Sequence, residues 1–274
     1  MQRPAEMSWS SPKCMGNGPS KRSGHTMSLV GDQLYVFGGN DFRRPPGPNG
    51  DLYKLDMSNS NEYFWSKVEP SAGQRWPEPR SHHTAVVFQK NKILVFGGFR
   101  SSSIRYNDVW ILDTTTNEWS QPHVGMTETK PDGDVAFKRP WQDVPLPRGA
   151  HSSTMVGDSN MYVFGGYGGS GFARRDFNDV SVLDTNVWEW RQLECTGELP
   201  PARSGHQFCA VNDSVYVIGG WNSIEQFADM YVLNTLSNEW EKPEENTMGA
   251  AFGNARWNFG AVAVFAVPYW KVRN

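Results

Sequence analysis

Four segments of the chain repeat one order of residues, and this repetition constrains the fold more than any other feature. Each segment opens with Arg-x-x-His, passes through an apolar run that ends in a Gly-Gly pair, reaches an aspartate and closes on Trp. The openings are Arg22, Arg80, Arg148 and Arg203; the pairs begin at Gly38, Gly97, Gly165 and Gly219; the aspartates are Asp51, Asp108, Asp179 and Asp229; the last residues are Trp65, Trp119, Trp190 and Trp240. Four copies of a four-part pattern predict an array of similar structural units.

The residues between these markers predict short strands. In the unit from Arg80 to Trp119, residues 84–88, 93–96 and 109–112 are apolar or aromatic runs separated by polar turns, without helical periodicity. One such sheet cannot bury both of its faces, so neighbouring units must cover it. The Gly pair allows a neighbouring backbone or ring to approach closely, and the closing Trp supplies apolar surface between units. We also expect the repeated arginine and aspartate to tie strands or units together by charge-assisted hydrogen bonds.

This set of markers resembles the kelch repeat over roughly residues 9–272. The third run of three units carries an aromatic residue, at Tyr53, Trp110 and Tyr231, where the other unit has Ser181. A second departure is Asn234, which replaces the aspartate found at Asp56, Asp113 and Asp184. The resemblance implies an all-β fold, a kelch-type β-propeller in which each repeat is a four-stranded blade.

The markers divide a single propeller domain, residues 1–274, into units at about 20–68, 78–122, 146–193 and 201–243. A partial fifth unit combines residues 254–274 with residues 7–12. Trp9 lies 13 residues before Arg22, as Trp190 lies 13 residues before Arg203, so residues 7–12 are predicted to be a fourth strand. Arg256 resembles a repeat start, residues 261–265 resemble a first strand, and residues 270–272 resemble the beginning of a second. In a closed propeller, C-terminal strands of this kind complete the blade of the N-terminal strand and seal the ring.

The partial unit leaves two interpretations open. The chain is either a fragment of a longer propeller, of five to seven blades, or a complete chain with four full blades and an incomplete fifth. Under both interpretations the apolar stub at residues 261–267 would be a poorly covered edge.

Charge and composition argue against several classes of function. The net charge of −3 gives no reason to expect a nucleic-acid partner. The polar N-terminus lacks the apolar core of a signal peptide, and no uncharged apolar run approaches the roughly 20 residues that cross a bilayer. Cys14, Cys195 and Cys209 lack metal-ligand spacing, and their odd number disfavours a disulfide framework. We expect a cytoplasmic protein with neither a nucleic-acid nor a membrane partner.

The conspicuous polar residues are predicted to be structural. His25, His83, His151 and His206 occupy one repeat position, and Ser23, Ser81 and Ser204 recur directly after the repeated arginine. Neither His82 nor His123 stands at metal-ligand spacing, no Gly-x-Ser-x-Gly elbow is present, and the glycines at 165–169 precede no helical pattern. We therefore assign no catalytic residue, metal ligand or cofactor.

The loops carry the candidate binding residues. In an antiparallel meander, the loops between second and third strands share a face with the connections between units. These segments are rich in arginine and aromatic residues, a composition typical of interaction hot spots that suits carboxylates or phosphates. The partner-binding prediction consists of Arg43, Arg44, Arg100, Arg105, Tyr106, Lys138, Arg139, Trp141, Arg174, Arg175 and Trp221. Lys138, Arg139 and Trp141 lie in the longest connection, between Trp119 and Arg148.

Two classes of function remain. The first is a non-enzymatic scaffold or adaptor that presents this loop face to a protein partner, such as an acidic or phosphorylated peptide. Kelch-like propellers most often serve such roles in ubiquitin ligation, cytoskeletal organisation or vesicle traffic. The alternative is an enzyme of the metal-dependent oxidase or specifier type, which the resemblance also allows. That alternative requires a ligand cluster that we do not find in the sequence, so we predict that the chain is not an enzyme.

Overall fold

The computed structural model describes residues 11–41, 47–59, 62–124, 127–129, 135–137, 143–169, 173–243 and 255–260. These residues contain no α-helix, which confirms the all-β fold class. In this part of the chain no helix has the length and apolar character to cross a membrane.

Four main sheets follow one another along the chain, one for each repeat. The first blade contains β1 (Lys13–Gly16), β2 (Thr26–Val30), β3 (Gln33–Phe37), β4 (Leu52–Asp56) and β5 (Glu62–Val68), in the spatial order β1-β5-β4-β3-β2. The second contains β6 (Thr84–Phe88), β7 (Lys92–Phe99), β8 (Arg105–Asp113) and β9 (Glu118–Ser120), in chain order. A separate hairpin, β10 (Thr127–Thr129) and β11 (Val135–Phe137), follows it.

The third and fourth blades complete the array. The next strands are β12 (Arg148–Gly149), β13 (Ser152–Val156), β14 (Asn160–Phe164), β15 (Tyr167–Gly168), β16 (Arg175–Asp176), β17 (Val180–Asp184) and β18 (Glu189–Gln192). Of these, β13, β14, β17 and β18 form the third blade, and β12, β15 and β16 form a small sheet beside it. The fourth blade contains β19 (Thr196–Gly197), β20 (Gln207–Val211), β21 (Ser214–Ile218), β22 (Met230–Asn234) and β23 (Glu239–Glu241).

The first strands of the four blades stand side by side around a common axis, since β2 contacts β6, β6 contacts β13, and β13 contacts β20. A belt of backbone hydrogen bonds links the residues just before these strands. The N–H of His82 donates to the Gly24 carbonyl (2.7 Å), Ala150 to His82 (2.8 Å), Gly205 to Ala150 (2.8 Å) and Asn258 to Gly205 (2.8 Å). All five residues have φ between 51° and 65°. Since three of them are not glycine, the hydrogen bonds of the belt impose this left-handed conformation whatever the side chain.

In the second, third and fourth blades, the closing Trp packs on a Phe of the blade before it. Ring centroids lie 4.9 Å apart for Phe37 and Trp119, and 4.9 Å apart for Phe96 and Trp190. Phe164 and Trp240 repeat the contact at 5.4 Å. The cores therefore lie between blades, as the sequence predicted.

An additional outer strand was not predicted. β1 pairs in parallel with β5, and β19 pairs in parallel with β23, so the first and fourth blades have five strands. Of the predicted strand at residues 7–12, residues 7–10 lie outside the described residues. Residues 11 and 12 are described and belong to no strand. The predicted strand at 261–265 also lies outside the described residues.

Arg256 occupies the position of a repeat start. Its carbonyl accepts a hydrogen bond from the N–H of Gly220 (3.0 Å), as the Arg203 carbonyl does from the N–H of Gly166 (2.8 Å).

Candidate functional site

The loop face is the side of the propeller on which the second strand of each blade ends and the third begins. Six of the predicted residues on this face are described: Arg100, Arg105, Tyr106, Arg174, Arg175 and Trp221. The other five lie outside the described residues: Arg43, Arg44, Lys138, Arg139 and Trp141.

The four repeated arginines beneath this face are structural. The fully buried Arg80 donates to both carboxylate oxygens of Asp108, at 2.7 and 2.9 Å, and to the Gly97 carbonyl at 3.0 Å. Its guanidinium lies 4.4 Å from the centroid of the Tyr106 ring. Arg148 and Arg203 form the same fork with their own aspartates. Arg22 instead donates to the Gly38 carbonyl at 2.9 Å and lies 3.8 Å from the Asp51 carboxylate. These contacts confirm that the repeated Arg and Asp join strands, and they place one face of the Tyr106 ring within the blade.

The repeated histidines are structural as well. The His83 Nε2 atom lies 2.9 Å from the Thr26 hydroxyl of the preceding blade, and the imidazole packs edge-on against Phe37. His151 repeats both contacts with Thr84 and Phe96. Burial holds the pKa of both histidines well below the ordinary value, so the rings are neutral at physiological pH. No group of three or more His, Cys, Asp or Glu side chains in the described residues could hold a metal ion.

The central cavity has a volume of about 850 Å³ and is lined by the belt and by the first strands. Its polar lining consists of hydroxyls, amides and imidazoles, such as Ser23, Ser153, Gln207 and His25. The backbone groups of the belt are hydrogen-bonded to one another. Among the described residues, the lining contains no carboxylate or guanidinium that would anchor an ionic ligand.

Arg105 of the second blade interacts electrostatically with Arg174, which lies next to the third blade. The Arg105 guanidinium lies 5.5 Å from the Phe99 ring centroid and 5.4 Å from that of Tyr167. Its Nε atom is buried and has no hydrogen-bond partner, and neither arginine forms an ion pair with any described residue. Partial burial lowers the pKa of Arg105, and the positive charge of Arg174 lowers it further. We call Phe99, Arg105, Tyr167 and Arg174 the Arg105 site.

The other predicted residues lie elsewhere on the loop face. Arg100 forms an ion pair with Glu78 at 2.6 Å, and both side chains are exposed. Arg175 lines a separate cleft of about 630 Å³ that it shares with Asp176 and Asp179. Trp221 lies 5.4 Å from Trp257, measured between ring centroids. Arg105 and Arg174 thus carry positive charge on the described loop face without an ion pair to any described carboxylate.

The sequence interpretation missed several exposed apolar side chains on this face. Ile104 and Ile224 are 47% and 89% exposed, each inside an otherwise polar loop, and Trp257 is 44% exposed. An aliphatic residue within a loop of serines, asparagines and charged residues was the available signal. Exposed apolar surface beside unpaired arginines is typical of a protein-binding surface.

Comparisons with known proteins agree with the repeat pattern. The sequence profile described as the KLHDC2/KLHL20/DRC7 Kelch-repeats domain matches residues 2–139 and 138–264. The chain is 32% identical over 264 residues to host cell factor 1 of Homo sapiens, covering 83% of this chain and 12% of that protein. It is 31% identical over 248 residues to host cell factor of Drosophila melanogaster, covering 80% of this chain and 15% of that protein.

A further relative belongs to a different class of protein. The chain is 29% identical over 279 residues to the dynein alpha chain of the flagellar outer arm of Chlamydomonas reinhardtii, covering 96% of this chain. The match covers 6% of that dynein chain, so the chain spans only a small part of the length of all three relatives.

Proposed function

The chain belongs to the kelch-repeat family, and from this premise we propose that it is a scaffold or adaptor whose loop face binds an acidic or phosphorylated segment of a protein partner. Family membership supports a protein-interaction role. The chemistry of the partner is inferred from the loop face.

The observation that carries the proposal is the Arg105 site. The positive charges of Arg105 and Arg174 repel each other, and no carboxylate of the described residues forms an ion pair with either side chain. Holding like charges together without a counter-charge is unfavourable, and an anion between them removes the cost. A guanidinium presents a planar fork that fits the two oxygens of a carboxylate or a phosphate. The rings of Phe99 and Tyr167 restrain Arg105, so little side-chain entropy is lost on binding.

A peptide array tests this function. The chain is applied to peptides that carry Glu, phosphoserine or neutral Gln and Ser at matched positions. We expect binding to the acidic and phosphorylated peptides and not to the neutral ones. Replacing Arg105 and Arg174 together by Gln should weaken binding at least tenfold, because a hydrogen bond to a charged group contributes about 1.5 to 3 kcal/mol.

The matched control is Arg191→Gln, which removes an exposed arginine from the outer strand of the third blade and should leave binding unchanged. Raising the salt concentration should weaken binding of the unaltered chain. Equal binding to neutral peptides, or unchanged binding by the double variant, would show that the Arg105 site is not the recognition site.

We also propose a cytoplasmic location. The three cysteines form no disulfide, Cys14 is exposed, and Cys195 and Cys209 are partly buried, as suits a reducing compartment. Fractionation of cells that express the tagged chain tests this proposal, and recovery in the secretory fraction would contradict it.

A further inference from the structure

The loop between β7 and β8 presents three serines beside the Arg105 site. It is closed by hydrogen bonds from the N–H groups of Arg100 and Ser101 to the Ile104 carbonyl, at 3.0 and 3.3 Å. The Ser101 hydroxyl accepts from the N–H of Ser103 at 3.2 Å and lies 3.2 Å from the Ser103 hydroxyl. The exposed hydroxyl of Ser102 makes no hydrogen bond to any described residue, so the loop presents this hydroxyl to solvent.

We propose that Ser102 is a phosphorylation site and that its phosphate pairs with Arg105 and Arg174, thereby closing the Arg105 site to acidic partners. The closing effect rests on the proposed function, whereas the phosphate pairing does not. In the reaction the Ser102 Oγ bonds to the γ-phosphorus of ATP, the bond from that phosphorus to the β,γ-bridging oxygen breaks, and ADP leaves. The hydroxyl proton passes to a base of the kinase and then to water.

The charges around Ser102 favour this chemistry. Arg100 precedes the serine by two residues and Arg105 follows it by three, so the loop suits a Ser/Thr kinase with an acidic substrate groove. Arg100 is already paired with Glu78, whereas Arg105 and Arg174 lack a carboxylate partner among the described residues. A phosphate adds a charge of about −1.5 to −2 and three acceptor oxygens, which two guanidinium forks can bind. The modified loop would then occupy the groups that a partner requires.

The first experiment tests whether the serine is accessible to a kinase. The folded chain is incubated with ATP and a purified arginine-directed Ser/Thr kinase, and the phosphorylated residue is mapped by mass spectrometry. We expect the phosphate on Ser102, with labelling lost in Ser102→Ala and retained in Ser103→Ala. Labelling that survives Ser102→Ala unchanged, or an absence of labelling in this loop, would overturn the assignment.

The second experiment tests the pairing without any partner. The chain is produced with phosphoserine at position 102, and the second pKa of the phosphate is measured by ³¹P NMR in the folded chain and in urea. Pairing with two arginines should place the folded value about one unit below the unfolded one. The double variant Arg105→Gln/Arg174→Gln should abolish the difference, and Arg100→Gln should preserve it. Equal pKa values in both states, or a difference abolished only by Arg100→Gln, would overturn the pairing.

The third experiment tests closure with a fluorescein-labelled octaglutamate peptide. We expect the unmodified chain to bind the peptide and the phosphorylated chain to bind it at least tenfold more weakly. Equal binding by both forms would overturn closure. Failure of the peptide to bind either form would count against both closure and the proposed function, while the NMR titration would still decide the phosphate pairing.

Discussion

At the scale of single residues, the repeated arginine shows how one side chain joins two strands of a blade. Arg148 is 1% exposed, yet it is satisfied by two oxygens of Asp179 and by the Gly165 carbonyl. A buried charge is tolerated only when such partners surround it. Arg105 differs from Arg148 because no described carboxylate or carbonyl satisfies its buried Nε atom, so it has no equivalent structural role in the blade.

Asn234 shows which property of the repeated aspartate matters. Its Oδ1 accepts a hydrogen bond from the Leu236 N–H at 2.9 Å, as the Asp113 Oδ1 does from Thr115 at 2.9 Å. Because the turn needs an acceptor oxygen rather than a charge, the replacement leaves the turn intact.

The buried histidines predict a dependence of stability on pH. Burial lowers the pKa of His206 from 6.5 to about 3. In the unfolded chain this ring takes up a proton as the pH falls through 6.5, whereas the folded chain keeps it neutral. The unfolded state then binds more protons, so the stability present above pH 6.5 is lost as the pH falls. For His206 alone we expect a loss of about 2 kcal/mol between pH 7 and pH 5.

The matched variant for this prediction is His206→Phe, since Phe259 occupies the equivalent position beside Gly219. Urea denaturation at pH 7 and pH 5 should show a drop in the free energy of unfolding that is smaller by about 2 kcal/mol in the variant. The same drop in both proteins would indicate that His206 does not remain neutral in the folded chain.

At the scale of elements, the first and fourth blades each have an additional outer strand that pairs in parallel with the closing strand. In the fourth blade the N–H groups of Thr196 and Glu198 donate to the carbonyls of Asn238 and Trp240, at 3.0 and 2.9 Å. Gly197 lies between them with φ of +79°, and a Cβ there would meet the Trp240 carbonyl oxygen. The first blade repeats the arrangement at Gly16. The close approach of two backbones, together with positive φ, requires glycine here.

Replacing Gly197 by Ala should therefore release this strand. We expect a loss of about 1 to 3 kcal/mol in stability, from backbone strain and the steric clash, and faster hydrogen exchange at the amides of Thr196 and Glu198. The control is Gly31→Ala, where φ is +56° but no atom lies within 4 Å of the added Cβ. The prediction is contradicted if both variants lose the same stability and amide exchange at Thr196 is unchanged.

At the scale of the whole molecule, stability is shared between neighbouring blades. Trp119 is 5% exposed and packs on Phe37, so the core between the first two blades contains residues of both. In such an array each unit contacts only its neighbours, and a defect should weaken the units beside it most.

Trp119→Ala tests this coupling. We expect a loss of roughly 3 to 5 kcal/mol, as for other buried Trp truncations, with a greater increase of hydrogen exchange in β2–β9 than in β20–β23. Trp257→Ala, at a half-exposed ring, should have a much smaller effect. An equal loss of protection in all four blades would show instead that the propeller unfolds as one unit.

The amino-acid sequence alone was enough to identify the fold class and the family, because the information for both is local and repeated. Strand-length apolar runs, the Gly pair and the closing Trp recur in one order, and each stands where the structure needs it, as Gly97 beside His151 and Trp119 against Phe37 show. The same repetition predicted that His83 and Arg80 have a structural role in each blade and do not form a functional site, and their contacts confirm it.

The folded structure was needed to show which loop arginines lack an ion-pair partner and where the outer strands pair. Arg100 and Arg105 look equivalent in the sequence, but Glu78 reaches the first, whereas the second meets Tyr167 and Arg174 of the next blade. Likewise, β1 pairs with a strand that follows it by more than 45 residues. These contacts join segments that are far apart in the chain. Residue periodicity could not predict them, because it reflects only the local structure within one segment.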